Sequence, residues 1–322
     1  MEAPVFIVGC GRSGTTLLRL MLDAHPELAI PGESNFIRYR WNERRMYRAR
    51  GRFAHERLLE DILADDNLRT WGISPDDVRE VVRAHGSPGF ADVVAAPFQV
   101  YARMHHKPRW GDKTPIYVLS MPALAGLFPD AKFVHLVRDG RDVALSYLSL
   151  PTFKGGIWHA AWRWRDWVSA GVRSGRQLGP GRYIELTYED LVANPERELR
   201  NLCAFVDLDF DEGMLRYYEH AGQRLEATAE MVRFHAKTSL PPQRSTRDWR
   251  TEMRERDVQV FESVAGALLK EFGYEQAVPD VPLSTRVQGI LNMSIRRAHI
   301  EGSRAKKNAV RAVKRLSAPV MR

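Results

Sequence analysis

The sequence predicts an α/β fold in which a parallel sheet is flanked by helices on both faces. Two observations lead to this prediction. Short apolar runs typical of buried strands occur at residues 5–8, 132–137 and 183–186. Each run is followed by a stretch whose apolar residues recur at helical spacing. Strands that alternate with helices favour a parallel sheet, and ligands of such sheets bind at the carboxyl ends of the strands.

The individual elements follow in the order that this fold requires. The strand at 5–8 leads through glycines into a helix that Pro26 ends, and a second short strand is predicted at 28–30. Residues 34–107 are predicted to be mainly helical and therefore to form an insertion between strands. The later helices are predicted at 141–148, 156–178 and 258–272.

The charge is distributed unevenly along the chain. The net charge is +8, but residues 286–322 contain ten Lys or Arg and one acid, which gives +9 and leaves 8 − 9 = −1 for the rest. We therefore predict one domain at 1–285, with its helical insertion at about 34–107, and a basic amphipathic tail at 286–322. A nearly neutral body without a recognised module argues against nucleic-acid binding. The tail suits peripheral contact with an anionic membrane, and a solvated or oligomer-contacting helix is the alternative.

Several protein classes are excluded by simple patterns. No run of 18 apolar residues occurs, so no membrane-spanning helix is expected. The first residues, MEAPVFIVG, lack the basic and apolar regions of a signal peptide, which predicts a cytoplasmic protein. Cys10 and Cys203 have no metal-type spacing and imply no disulfide framework. Nothing in the sequence indicates an oligomeric state.

Residues 9–16, GCGRSGTT, join the first predicted strand to its helix. Glycines permit positive φ and let backbone N–H groups turn toward one anion, which the start of the helix also favours. The spacing GxxxxG is that of a Walker A loop, but Thr15 stands where the Walker lysine would be. A loop without that lysine suits a nucleotide with a 5′-phosphate and no γ-phosphate, and Arg12 supplies a permanent cation instead. The alternative is a glycine turn that begins an ordinary helix.

The strand at 132–137 ends in a similar way, with VRDGRDVALSY. Arg138 is its first polar residue, and Ser146 follows about two helical turns later, so the two could hold one phosphate. Asp139 and Asp142 are interpreted as partners of the helix start rather than catalysts. The alternative for Arg138 is an ion pair with one of these aspartates.

The loop with RSGTT and the segment RDGRDVALS together resemble the sulfotransferase superfamily that uses 3′-phosphoadenosine-5′-phosphosulfate (PAPS). The resemblance covers about residues 4–275 and implies a P-loop-like sheet whose helical insertion lies on the acceptor side. It implies that Arg138 and Ser146 bind the 3′-phosphate. It also implies that the 5′ side of PAPS is held by the loop residues Gly11, Arg12, Ser13, Gly14, Thr15 and Thr16.

Within the superfamily, RSGTTLLRLMLDAHPEL followed by PGES, and GDKTP, are most similar to the tyrosylprotein-sulfotransferase-like and bacterial branch. The resemblance maps the general base onto Glu33 and the lysine that assists the leaving group onto Lys113. Arg12 joins them as a candidate catalytic cation. Tyr188 matches a nucleotide-contacting tyrosine.

The late segment KTSLPPQRSTRDW resembles the loop that closes over the nucleotide. Its candidate residues are Thr238, Ser239 and Arg247. The chain departs from the secreted members of the branch, which have an N-terminal membrane anchor and disulfides, and this departure argues against a protein tyrosine as the acceptor. The acceptor is expected to carry a hydroxyl and to be a lipid, a glycan, a small molecule or a peptide.

Structural alternatives exist for several of these residues. Glu33 could be a carboxylate at the start of a helix near Ser34, and Lys113 could form a surface ion pair with Asp112. His25, before Pro26, is interpreted as a packed or capping residue. His105 and His106 are interpreted as residues of an exposed helix end. The tryptophans are interpreted as core residues or as part of a pocket wall: Trp158, Trp162, Trp164 and Trp167.

The expected reaction needs PAPS as co-substrate and yields adenosine 3′,5′-bisphosphate. In-line transfer depends mainly on positioning and charge stabilisation, and no metal is required, since no ligand cluster for one is evident. One alternative is a P-loop kinase, which predicts a Walker lysine and Mg²⁺. The other is a non-catalytic nucleotide-binding interaction protein, which predicts the loss of Glu33 or Lys113.

Overall fold

The computed structural model describes residues 3–49, 51–219 and 247–278. Within them, five parallel strands form one sheet in the order β2-β5-β1-β6-β7. These strands are β1 (Val5–Gly9), β2 (Leu28–Ala29), β5 (Arg109–Lys113), β6 (Lys132–Val137) and β7 (Tyr183–Thr187), and a separate hairpin pairs β3 (Arg48–Ala49) with β4 (Arg52–Phe53). The predicted parallel α/β fold is confirmed.

Helices cover both faces of the sheet. Along the chain the helices before β6 are α1 (Thr15–Asp23), α2 (Phe36–Asn42), α3 (His55–Leu63), α4 (Asp66–Arg69), α5 (Pro75–Ala84), α6 (Phe90–Met104) and α7 (Met121–Leu127). After β6 follow α8 (Gly140–Leu148), α9 (Ile157–Leu178), α10 (Tyr188–Ala193), α11 (Pro195–Phe205), α12 (Trp249–Glu252) and α13 (Glu255–Glu271). Short 3₁₀ turns lie at Arg44–Tyr47, Pro115–Leu119, Glu212–Met214 and Tyr217–Glu219.

Alternate side chains of β1 point to opposite faces of the sheet and belong to two different hydrophobic clusters. Phe6 and Val8 pack with the helical insertion, whereas Val5 and Ile7 pack with α1, α10 and α11. All four side chains are fully buried. A third cluster joins α8, α9 and α13 beside the end of β6. Because β1 is the central strand and is covered on both sides, the residues at its carboxyl end are held rigidly.

The strand β5 is a feature that the sequence analysis did not predict. Its sequence, RWGDK, has no apolar run, yet all five residues are buried between β1 and β2. Gly111 is required there, because a Cβ atom would lie 2.7 Å from the carbonyl oxygen of Val5. The strand is stabilised by partners for its polar side chains rather than by hydrophobic alternation, and it carries Lys113 to the carboxyl edge of the sheet.

Other parts of the predicted organisation lie partly outside the described residues. The insertion is mainly helical, as predicted, with a short hairpin in addition. The basic tail at 286–322 lies outside the described residues, and the domain boundary at 285 stays a prediction. No helix of the described ranges combines the length and apolarity that crossing a membrane requires. Both cysteines are buried free thiols.

Candidate functional site

The loop between β1 and α1 has the backbone of an anion-binding turn. Arg12 and Gly14 both adopt left-handed conformations, with φ of 71° and 92°. Gly14 is the N-cap of α1, so no side chain caps this helix, and its first turn contains no acidic residue. The start of α1 therefore keeps its positive field for an external anion.

Ser13 provides a direct sign that the loop binds a ligand. Its side chain is completely buried, and its hydroxyl has no hydrogen-bond partner among the described residues. A buried hydroxyl without a partner is unfavourable and needs an explanation. A phosphate or sulfate oxygen within the loop supplies the missing acceptor, so the residues present fit an anionic nucleotide.

Two tyrosines pack directly against the loop glycines. A Cβ atom on Gly14 would lie 2.3 Å from the Tyr188 ring, and one on Gly11 would lie 2.6 Å from the Tyr147 hydroxyl. Tyr188 also lies under the guanidinium of Arg138, at 4.6 Å. Tyr188 thus joins the first loop to the end of β6, which is where the resemblance places a nucleotide contact.

Arg12 links the first loop to α8. Its Nε donates a hydrogen bond to the Ser146 hydroxyl at 3.0 Å. Burial lowers the pKa of Arg12; the neighbouring cations Arg138 and Arg247 act in the same direction, whereas Tyr147 and Glu33 oppose it. Arg138 and Arg247 are therefore close enough to Arg12 to interact with it electrostatically.

The end of β6 is built from charged pairs. Arg138, 8% exposed, lies 3.5 Å from Asp142, so the ion pair considered from the sequence is present. Asp139 caps α8 by accepting from the backbone N–H of Arg141, which confirms its structural interpretation. Trp164 donates its indole N–H to the Arg138 carbonyl at 2.9 Å and so fixes the backbone of that residue.

The end of β5 brings together the two residues predicted to be catalytic. Lys113 donates to Glu33 at 2.7 Å and to the Thr16 hydroxyl at 3.4 Å. Lys113 is buried, whereas the Glu33 side chain is 37% exposed. The alternative of a surface pair between Lys113 and Asp112 is wrong, because Asp112 is fully buried and points elsewhere.

Asp112 belongs to a buried network that the sequence analysis missed. It accepts a hydrogen bond from the Ser34 hydroxyl, which also bonds Tyr117 at 2.7 Å. The Ser34 backbone N–H donates to Thr114 at 3.0 Å. Burial raises the pKa of Asp112 to about 7. Since Ser34 is adjacent to Glu33, this network fixes the backbone that carries the predicted base. The only sequence signal that could have indicated the network was the motif resemblance at GES and GDKTP.

A cavity of about 380 Å³ adjoins the loop on the side of Tyr147. The guanidinium of Arg163 lies 4.9 Å from the Tyr147 ring and 5.2 Å from the Phe153 ring. The volume lies in the range of small-molecule sites. Its lining consists of Tyr147, Leu150, Thr152, Phe153, Lys154, Gly155, His159 and Arg163.

The other sequence candidates fall into three groups. His25 is a buried structural residue, because Nδ1 accepts from the Glu27 N–H at 3.1 Å and Nε2 then donates to the Asp209 carbonyl at 2.7 Å. His105 and His106 lie at an exposed helix end, as predicted. Among the tryptophans, Trp162 and Trp164 are buried, and Trp158 and Trp167 are half-buried.

The late segment is described only in part. Thr238 and Ser239 lie outside the described residues. Arg247 is described and forms an ion pair with Glu252 at 2.9 Å. Nearby, the backbone N–H of Trp249 donates to Asp142 at 2.9 Å, which ties Trp249 to the start of α8. In the described ranges, no group of three or more His, Cys, Asp or Glu could hold a metal ion.

A family model described as "Sulfotransferase family" matches residues 4–212, which include all three strand ends described above. The chain belongs to the sulfotransferase family. Among its curated relatives is a Drosophila melanogaster protein named protein-tyrosine sulfotransferase, with 27% identity over 67% of this chain and 40% of the relative. The Danio rerio protein-tyrosine sulfotransferase 1 is 28% identical over 68% of this chain and 57% of the relative. This sulfotransferase chain thus spans about half the length of these relatives.

Solved sulfotransferase structures share the fold. The sulfotransferase domain from the Synechococcus PCC 7002 olefin synthase has a TM-score of 0.54 and 24% identity, over 85% of this chain and 97% of that domain. The sulfotransferase domain from the curacin biosynthetic pathway has a TM-score of 0.57 and 20% identity, over 85% and 99%. The family prediction made from the two loops is confirmed.

Proposed function

We propose that this sulfotransferase moves a sulfuryl group from PAPS to a hydroxyl of its acceptor. The contact between Lys113 and Thr16 carries the proposal. In a Walker A loop, the Ser or Thr at the position of Thr16 binds Mg²⁺, and a lysine occupies the position of Thr15. Here a neighbouring strand brings a buried ammonium to the Thr16 hydroxyl. A fixed cation at this point suits a sulfuryl group and a departing 5′-phosphate, which carry less charge than a γ-phosphoryl group bound to Mg²⁺.

The two loops would divide the donor between them. The uncapped start of α1, with the Ser13 hydroxyl and Arg12, would hold the 5′-phosphosulfate. Arg138 and Ser146 would hold the 3′-phosphate, with Tyr188 packed between the two loops. Arg247 lies close enough to act electrostatically on Arg12 and would add a cation at this site. Ser239 would contribute from the late segment.

The geometry supports direct transfer with Glu33 as general base. The acceptor oxygen attacks sulfur, its proton moves to the Glu33 carboxylate, and the bond between sulfur and the bridging oxygen breaks. The electron pair leaves with the 5′-phosphate, where Lys113 and Arg12 stabilise the new charge. Lys113 bonds Glu33 directly, so one buried cation orders both the base and the leaving-group side of the reaction.

We propose only the reactive group of the acceptor, which is a hydroxyl. The curated relatives are named for protein tyrosine, and a tyrosine phenol is one such hydroxyl. The cavity beside Tyr147 is the space we assign to the acceptor, because Tyr147 both lines this cavity and packs against Gly11 of the first loop. A cytoplasmic location remains part of the proposal.

Glu33→Gln tests the mechanism. This change keeps the shape of the side chain and removes its basicity, so kcat should fall by roughly 10²–10⁴. The affinity for PAPS should stay within about threefold, because Glu33 does not hold the nucleotide. His25→Asn serves as the control and should retain most of the activity, since both nitrogens of His25 have structural partners. A normal kcat for Glu33→Gln would contradict the assignment of the base.

Ligand binding distinguishes a sulfotransferase from the alternative of a P-loop kinase. Thermal unfolding with adenosine 3′,5′-bisphosphate should show clear stabilisation, and ATP with Mg²⁺ should show little, because Lys113 already occupies the Thr16 hydroxyl. Stronger stabilisation by ATP with Mg²⁺ would favour a phosphotransferase. The non-catalytic alternative is excluded by any turnover of labelled PAPS that depends on Glu33.

A further inference from the structure

Residues 38–49 and 51–57 form a strongly basic part of the insertion, here called the arginine face. These residues contain seven arginines and two acids, Glu43 and Glu56, which gives 7 − 2 = +5. The whole chain has a net charge of +8, so the concentration is local. Such a charge excess on one surface indicates an anionic partner.

Most of these arginines have no carboxylate within ion-pair distance among the described residues. Arg40 is the exception, since it lies within 4.0 Å of both Glu43 and Asp61. Arg45, Arg48 and Arg52 are exposed and have no carboxylate partner in the part of the chain that the structure describes. Three solvated cations so close in sequence repel one another unless an anion lies against them.

Apolar side chains are also exposed within the arginine face. Tyr39 and Met46 are 55% and 54% exposed, which makes them the two most exposed large hydrophobic residues among those described. Trp41 lies between them in sequence, with the guanidinium of Arg44 4.5 Å from its ring. Exposed apolar tips surrounded by cations are the composition of a surface that enters a lipid headgroup layer.

Hydrogen bonds hold these residues together as one surface. Arg44 donates to the Trp41 carbonyl at 2.9 Å, and Arg57 donates to the Met46 carbonyl at 3.4 Å. The β3–β4 hairpin is anchored at its end by the Ala54 N–H, which bonds the Tyr47 carbonyl at 2.8 Å. Tyr47 itself is buried, so the arginine face is fixed to the core of the insertion.

We propose that the arginine face docks on an anionic membrane, with Tyr39 and Met46 inserted among the headgroups. A soluble polyanion would use the arginines but would leave the two apolar tips exposed to water, so the combination favours a lipid surface. Docking does not depend on sulfuryl transfer.

Flotation of the full-length chain with vesicles tests the proposal. The protein should float with phosphatidylcholine vesicles that contain phosphatidylserine and should remain behind with pure phosphatidylcholine. Each basic residue at an anionic surface strengthens binding by about fivefold, so R45Q/R48Q/R52Q should reduce partitioning on the order of 100-fold. The matched control R173Q/R254Q/R256Q removes three exposed arginines of α9 and of the start of α13. It should change partitioning by less than about threefold, because charges away from the contact are screened.

The apolar contribution is measured separately with Y39S/M46Q. This variant should lose on the order of tenfold in vesicle binding while its retention on heparin stays unchanged, because heparin offers no apolar layer. Thermal unfolding and binding of adenosine 3′,5′-bisphosphate confirm that each variant is folded.

Three results would overturn the proposal. The first is no flotation of the unmodified chain with phosphatidylserine. The second is an equal loss in both arginine triples, which would show only a general effect of charge and implicate another surface. The third is undiminished vesicle binding by Y39S/M46Q, which would assign the arginine face to soluble polyanions. Failure to bind adenosine 3′,5′-bisphosphate would instead contradict the proposed function and leave the docking result intact.

Discussion

The ends of β1 and β6 are adjacent and look alike in sequence, but they are built differently. After β1, the helix starts at Gly14 with no side-chain cap and no acid in its first turn, and the Ser13 hydroxyl has no partner among the described residues. After β6, Asp139 caps the helix, and Asp142 lies in its first turn. The first turn of α1 therefore contains no acidic side chain, whereas the start of α8 already has two.

This difference shows how each site would respond to a ligand. An anion that enters the first loop satisfies donors that are otherwise idle, so the loop is preorganised by its backbone. A 3′-phosphate at the second site must share Arg138 with Asp142, 3.5 Å away. When the phosphate binds, Arg138 exchanges Asp142 for the phosphate, so the gain in binding free energy is only the difference between these two interactions. The first loop should therefore supply most of the affinity, and the second should supply selectivity for the 3′-phosphate.

The largest effect is expected from Gly14→Ala. The new Cβ would lie 2.3 Å from the Tyr188 ring at a φ of 92°, so the loop must open. Binding of adenosine 3′,5′-bisphosphate should weaken by at least about 100-fold, or about 2.7 kcal/mol. Gly179→Ala is the control, since φ is 77° there and nothing lies within 4 Å of its Cβ. Calorimetry on both variants measures the contrast, and equal affinities would refute a preorganised first loop.

Arg138→Ala should have the next largest effect, and only on ligands with a 3′-phosphate. The loss of a hydrogen-bonded charge should weaken adenosine 3′,5′-bisphosphate by about 2–3 kcal/mol. Adenosine 5′-monophosphate, which lacks the 3′-phosphate, should bind nearly as before. Calorimetry with both nucleotides measures the difference, and equal losses for the two would remove Arg138 from the 3′-phosphate site.

Ser13→Ala should affect both nucleotides equally, in contrast to Arg138→Ala. The hydroxyl would bond the 5′-phosphate that both share, and a bond to a charged group contributes about 1.5 kcal/mol or more. Removing a buried hydroxyl that has no partner should also leave the free energy of unfolding unchanged or raise it by up to about 1 kcal/mol. Calorimetry and urea unfolding measure the two quantities. A variant that is less stable but binds normally would show that Ser13 has a structural role instead.

The smallest expected effect concerns Asp142. Burial raises the pKa of Asp142 to about 6, against the opposing influence of Arg138. Asp142 is therefore a carboxylate that competes for Arg138 above pH 6 and becomes neutral below it. Asp142→Asn should bind adenosine 3′,5′-bisphosphate about two- to fivefold more tightly at pH 7.5, the scale of a weak ion pair. The amide can still accept from the Trp249 N–H, so the late segment stays attached.

The pH dependence isolates this competition from protonation of the phosphate itself. The ratio of the affinity of Asp142→Asn for adenosine 3′,5′-bisphosphate to that of the unmodified chain should fall toward one as the pH is lowered from 7.5 to 5, because Asp142 itself becomes neutral in this range. Titrations of both proteins with adenosine 3′,5′-bisphosphate and with adenosine 5′-monophosphate give the ratio directly. A constant advantage across this range would mean that Asp142 does not compete with the ligand.

The sequence alone predicted the fold class and the family, which are confirmed, and two anion loops, whose binding role stays a prediction. Apolar runs at β1, β6 and β7 carry their own signal, because strands buried on both faces read as continuous hydrophobic segments. The loop at 9–16 also carries its own signal, since its glycines stand directly between an apolar run and a stretch of helical spacing. Local chemistry of this kind is visible without a structure.

The tertiary structure decided what lies at the edge of the sheet. RWGDK has no strand pattern, yet it forms β5, where Ser34, distant in sequence, donates a buried hydrogen bond to Asp112 and is itself bonded to Tyr117. Whether Lys113 pairs with Asp112 or with Glu33 likewise depended on the pleat of β5, which turns adjacent side chains to opposite faces. Pairings between residues 80 positions apart leave no periodicity in the sequence. Only the packed sheet brings Glu33, Lys113 and Thr16 into contact.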